Sequence, residues 1–170
     1  KKIPLRLHKF GYVVKLYKRL SKMDTTDLLD NLIHDQVVLA SAATYNAQKL
    51  DELGLKVNVN LSGSKSMFVG TQEDHIYPDV LVWKPESPNA SKGKTVIAEV
   101  IETKKTLDSN PARWKALANK VGIIFYLIVP KGEEAKVILS LNALEIRNQT
   151  KLQTWHWDST QKKYLFESVT

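Results

Sequence analysis

The chain has 170 residues, 43% hydrophobic and 25% charged, a size and balance that suit one globular domain with a real core. It has no cysteine, which excludes a disulfide framework, a thiolate zinc site and thiol chemistry. The net charge of +7 favours a polyanionic partner, nucleic acid first, and the longest apolar run, Val121 to Pro130, is too short to cross a bilayer. An intracellular, cytoplasmic protein with no membrane contact is the expectation that follows.

The basic excess begins at the N-terminus. Residues 1–22 carry Lys1, Lys2, Arg6, Lys9, Lys15, Lys18, Arg19 and Lys22 and no acid. Such an arm, with a short amphipathic helix begun or broken at Gly11, suits a nucleic-acid backbone, although a solvated helix face or solubilising tail has the same composition. A mitochondrial presequence would be richer in arginine and serine. The first residue is Lys rather than Met, which suggests a piece trimmed from something longer. We therefore divide the chain into a basic arm, residues 1–22, and one α/β domain, residues 23–170.

From Met23 to Gly54 the spacing predicts one long helix, or two broken near His34. Asp24 or Thr25 caps it, Leu28, Leu29, Leu32, Ile33, Val37, Ala40, Ala43 and Ala47 form its apolar stripe, and Gly54 closes it. "LKVNVNLSG" then alternates strictly and reads as a strand with one wet face. "SMFVGT" and "HIYPDVLVW" read as further strands about the turn Gln72-Glu73-Asp74. A loop with prolines and a glycine, "KPESPNASKGK", leads to the strand "TVIAEVIET". Asn110 and Pro111 open the helix "ARWKALANK", "GIIFYLIVP" is a central strand buried on both faces, and "EEAKVILSLNAL" is helical. "LQTWHWD" and "KKYLFES" make a terminal hairpin. Strands joined through helices imply a mixed central sheet flanked by helices on both sides.

Chemistry-bearing residues gather on two neighbouring strands. Asp79 follows Pro78 and leads into Val80-Leu81-Val82-Trp83, while "AEVIETKK" places Glu99 and Glu102 beside apolar residues and ends in Lys104 and Lys105. Carboxylates are costly to bury unless paired, hydrogen-bonded or metal-bound. Adjacent strands lie roughly 5 Å apart, so their carboxylates can share a Mg²⁺ ion, which takes hard oxygen ligands, water and phosphate. A neighbouring lysine can then serve the attacking water.

"YPDV…AEVIETKK", with the following helix and "FYLIVP", resembles the PD-(D/E)XK nuclease superfamily, the restriction endonuclease-like fold, over roughly residues 25 to 140. The resemblance implies a Mg²⁺- or Mn²⁺-dependent nuclease cutting DNA phosphodiester bonds. Asp79, Glu99 and Glu102 would be the metal ligands and, with Lys104, the catalytic group. Lys105, Arg113 and Lys115, with Arg6, Lys9, Lys18 and Arg19 of the arm, would contact the nucleic-acid backbone. "Glu102-Thr103-Lys104" spells the Glu-X-Lys tripeptide, whereas Glu99 has the mid-strand setting but Ile101 where lysine belongs. Alternation puts Glu99 and Glu102 on opposite faces unless a bulge intervenes; with a bulge, Lys104 or Lys115 would supply the lysine.

The departure at Ile101 keeps a second reading open: a degenerate nuclease fold that binds DNA or a partner protein without cleavage. A blander reading makes Glu102, Lys104 and Lys105 a solvated strand end and Asp79 a turn cap, but leaves Glu99 unexplained. His34 and Asp35 read as a helix-boundary pair, with Asp35 an alternative acid near the metal, and His75 shares a strand face with Asp79. Trp114, Trp155 and Trp157 read as core. A homodimer, or a place within a larger protein, is compatible with all of this.

Overall fold

In a computed structural model, which describes residues 24–48, 50–62, 64–70, 75–87 and 93–170, the chain forms one six-stranded sheet. The basic arm, and with it Arg6, Lys9, Lys18 and Arg19, lies outside the described residues. The strands run in chain order across the sheet: β1 (Lys56–Val59), β2 (Val80–Pro85), β3 (Gly93–Ile101), β4 (Ile124–Pro130), β5 (Thr150–Asp158) and β6 (Lys163–Ser168). β1, β2 and β3 pair antiparallel, as do β5 and β6, while β3–β4 and β4–β5 are parallel. A parallel pair needs a crossover connection, and two helices supply it: α2 (Pro111–Ala118) between β3 and β4, and α3 (Glu134–Ala143) between β4 and β5. Before the sheet runs a longer helix, α1 (Thr25–Ala47), capped by the Asp24 carboxylate accepting from the Thr26 amide at 3.1 Å.

The mixed α/β sheet with helices on both faces agrees with the sequence. Alternation in the central strands sorts their side chains into two cores. Leu81, Ala98, Val100, Phe125, Leu127 and Val129 face Trp114 and Leu117 of α2 and Val137 and Leu141 of α3. Val80, Val82, Ile101 and Ile128 face Val37, Val38, Ala42 and Tyr45 of α1. A strand covered on both sides has no wet face, which is why "FYLIVP" is apolar without interruption. Among the described residues, no helix is long and apolar enough to cross a membrane.

Three local expectations need correction. α1 is unbroken at His34 but ends at Ala47, and Gly54, at φ +68°, instead closes a short 3₁₀ turn, Leu50–Leu53. The apolar stripe expected on α1 is only partly its buried face: Val37 is fully buried, but Leu28, Leu29 and Leu32 are between 41% and 57% exposed. Asp30, His34, Ser41 and Tyr45 take sheet-facing positions instead, because each finds a polar partner on or beside the sheet. Tertiary hydrogen bonding thus overrides apolar periodicity.

"SMFVGT" and the start of "HIYPDV" do not form full strands; they meet through one bridge, Val69 to Ile76, with reciprocal hydrogen bonds of 2.7 and 2.8 Å. Pro78 has no amide to offer a ladder. The backbone groups of Ser66, Met67 and Pro78 bond the Asn60 side chain instead.

Candidate functional site

Asp79 stands immediately before β2, where β2 and β3 part. Its amide donates to the Glu99 carbonyl at 2.8 Å, and its Oδ2 accepts from the Ile101 amide at 2.7 Å. The side chain therefore stands in for the carbonyl that a longer ladder would offer Ile101. Its Oδ1 accepts from Arg113 Nη2 at 2.9 Å, and His34 Nε2 lies 3.7 Å from Oδ2. Pro111 starts α2 and so sets Arg113 in its first turn, where the guanidinium also donates to the Tyr77 carbonyl. Burial opposes ionisation of Asp79, but His34, Arg113 and the Ile101 amide outweigh it and hold the carboxyl below its ordinary range. Burial likewise opposes the His34 imidazolium, and the hydrogen bond and charge of Asp79, then those of Asp35, overcome it and push the group up to about 9. At neutral pH the pair is an imidazolium beside a carboxylate.

The two glutamates lie in different layers. β3 pairs residue for residue with β4 from Ile97 to Ile101, so the strand is regular through Glu99. The register shift in β3 falls earlier, opposite Val82 and Trp83, where Val96 has no partner on β2. No bulge therefore unites the glutamates. Glu99 turns toward α1 and accepts from Ser41 Oγ at 2.6 Å and from the Tyr45 hydroxyl. Glu102 turns toward α2 and accepts from Trp114 Nε1 at 2.8 Å, while its carbonyl accepts from Trp155 Nε1 at 3.0 Å. Burial pushes both carboxyls up, and the negative charge of Asp79 adds to the shift in each. The hydroxyls of Ser41 and Tyr45 reduce it for Glu99; Thr106, Trp114 and Arg113 reduce it for Glu102.

Beside Asp79 opens a pocket of about 540 Å³. His34, Lys65, His75 and Arg113 line it, with Asn60, Ser62, Ser64, Tyr77 and Asn110 adding neutral polar groups. Asp79 is its sole acid among the described residues. Asn60, 5% exposed, braces the wall: its Nδ2 donates to the carbonyls of Met67 and Pro78 at 2.7 Å each. Its Oδ1 accepts from the amides of Ser66 and Met67 and from the Ser66 hydroxyl at 2.8 to 3.1 Å.

Asp79, Arg113 and His75 are thus brought to one pocket. The lysines of "AEVIETKK" go elsewhere. Lys104 is 76% exposed and lies 3.9 Å from Glu133, and Lys105 pairs with Asp27 at the start of α1. Lys115 is exposed on α2. Asp35 accepts from the Ser62 amide at 2.7 Å and from His34, fastening α1 to the segment after β1. Trp114 is core as expected, but Trp157 is 51% exposed. Sequence reasoning missed Ser41, Tyr45, Asn60 and the contact of His34 with Asp79. The available signal was on α1: His34, Ser41 and Tyr45 fall on one helical face.

No family model matches the chain, and neither a curated protein nor a solved structure proves similar to it. The donor set itself can still be tested against a divalent ion. Among the described residues no three acids and histidines gather as a ready metal cage. Asp79, Glu99 and Glu102 are buried hard-oxygen donors, and the charge of Asp79 reaches both glutamates, one in each layer. Mg²⁺ is commonly held by one or two carboxylates with waters and a phosphate. Two carboxylates are the most this donor set offers one ion; among the described residues a set of three does not gather.

Proposed function

We propose that the chain is a metal-dependent nuclease of the PD-(D/E)XK kind, hydrolysing DNA phosphodiester bonds at the pocket beside Asp79. The observation that carries this reading is a buried carboxylate set as the sole described acid in a pocket of cations and hydrogen-bond donors. Asp79 and Glu99 would hold Mg²⁺ or Mn²⁺, which when bound polarises a phosphoryl oxygen and makes hydroxide available at neutral pH. Arg113 and Lys65 bind the phosphate, the guanidinium with its planar fork and the ammonium as a point charge. His34, with Nδ1 on Asp35 and Nε2 toward Asp79, orients the Asp79 carboxylate. Glu102 positions Trp114, and Lys104 and Lys105 serve only the passing backbone.

A second reading, binding of nucleic acid without cleavage, is favoured by the carboxylates' existing partners. Asp79 already meets a guanidinium, an amide and an imidazolium, and Glu99 two hydroxyls. Incubation of plasmid and single-stranded DNA with Mg²⁺ or Mn²⁺, beside Asp79→Ala, decides between them. Cleavage by the wild type that Asp79→Ala loses is the expected result. Salt-sensitive binding without cleavage, surviving in Asp79→Ala, would favour the binding module, and equal cleavage by both proteins would refute the role of Asp79.

A further inference from the structure

At the rim of the pocket three aromatic rings meet. Phe68 and His75 have centroids 5.3 Å apart, His75 and Tyr77 5.2 Å, and Phe68 and Tyr77 5.9 Å, all tilted or edge-on. Lys65 Nζ stands 5.1 Å from the centre of the Tyr77 ring. The bridge between Val69 and Ile76 explains the grouping. Those two side chains pack against the core, so by alternation Phe68, His75 and Tyr77 point the other way. Phe68 remains 44% exposed and His75 is exposed, although burial would favour both rings. The trio is tied to the pocket through Tyr77, whose carbonyl accepts from the Arg113 guanidinium that also grips Asp79.

We infer that Phe68, His75 and Tyr77 form a stacking platform for an unpaired nucleobase whose phosphate lies in the adjoining cationic pocket, so that the preferred ligand is single-stranded nucleic acid. The inference rests on the nucleic-acid reading above and narrows its substrate class. Two neighbouring chemistries support it. Exposed aromatic faces bind bases without regard to sequence, and Lys65 and Arg113 beside them match the charge of a phosphodiester. A nucleotide joins a planar ring to an anionic phosphate; a base inside a duplex is stacked on its neighbours and cannot reach such a platform without flipping out.

The test uses fluorescence anisotropy with a labelled oligo(dT), an abasic strand of the same length and a labelled duplex, in EDTA so that nothing is cut. The wild type is expected to bind oligo(dT) about tenfold more tightly than the abasic strand. Phe68→Ala, at an exposed position, is expected to lose that preference while keeping its thermal melt and its affinity for the abasic strand, and Phe68→Trp to restore the preference. Equal affinity of the wild type for base-bearing and abasic strands would overturn the platform and leave the phosphate pocket standing. Preference for the duplex over oligo(dT), or discrimination that survives in Phe68→Ala, would overturn it equally. A wild type that binds none of the probes would overturn the nucleic-acid reading itself, and the platform with it.

Discussion

Replacing Asn60 with alanine is the sharpest test of how the pocket is built. The side chain makes five hydrogen bonds, two donated and three accepted, and it joins the segments on either side of the Val69–Ile76 bridge. A typical internal hydrogen bond contributes about 1 kcal/mol, and a buried partner left unsatisfied costs about 1–3 kcal/mol. The Pro78 carbonyl is the buried partner, whereas the groups of Ser66 and Met67 are partly open to water, which can replace the lost contacts. Together these give a loss of about 3 kcal/mol. Urea unfolding followed by tryptophan fluorescence would measure it as a drop in midpoint at unchanged slope. Asn60→Asp should be no better than alanine, because it keeps the acceptor but sets a carboxylate against two carbonyl oxygens. A loss below about 1 kcal/mol for Asn60→Ala, or a stable Asn60→Asp, would refute the brace.

His34 yields a pH signature in metal-free buffer. Its folded value is raised from 6.5 to about 9, so the stability it contributes is complete below pH 6.5 and disappears as pH rises through 9. His34→Gln should therefore be less stable than the wild type below pH 6.5, by up to about 3 kcal/mol, with the gap narrowing toward pH 9; parallel pH curves for the two proteins would contradict the imidazolium. Glu99→Ala strands the Ser41 and Tyr45 hydroxyls at about 1–3 kcal/mol each, whereas Glu99→Gln keeps an acceptor. Because burial raises the Glu99 carboxyl above 4.5, the wild type loses stability as pH climbs through that raised value, and Glu99→Gln does not. Thermal melts at pH 8 should rank Glu99→Gln at or above the wild type and Glu99→Ala well below it; equal losses in the two variants would contradict the hydroxyl-held carboxyl.

Legibility followed the range of the forces involved. Local signals came through: the Pro111 start of α2, the uninterrupted β4, and the β5–β6 hairpin depend on neighbours in sequence. The alternation of Glu99 and Glu102 was legible as well, since a regular strand leaves no other arrangement. The bulge in this strand sits at Val96, before both glutamates, and nothing in "TVIAEVIET" marks that position. What stayed hidden was tertiary. Asp30, His34, Ser41 and Tyr45 face the sheet because Thr103, Asp79 and Glu99 await them, and apolar counting instead selected Leu28, Leu29 and Leu32, which are exposed. Asn60 was hidden for the same reason: its partners, Ser66, Met67 and Pro78, come together only once the chain has folded back.

Asp79 and Glu99 are proposed to share one divalent ion. Titration of Mn²⁺ into the nucleic-acid-free protein by isothermal calorimetry tests it most directly, because it reads binding without requiring a substrate. One saturable site is expected in the wild type, lost in Asp79→Asn and in Glu99→Gln and retained in Lys104→Ala. Absence of binding in the wild type, or binding that neither carboxylate substitution weakens, would contradict the site.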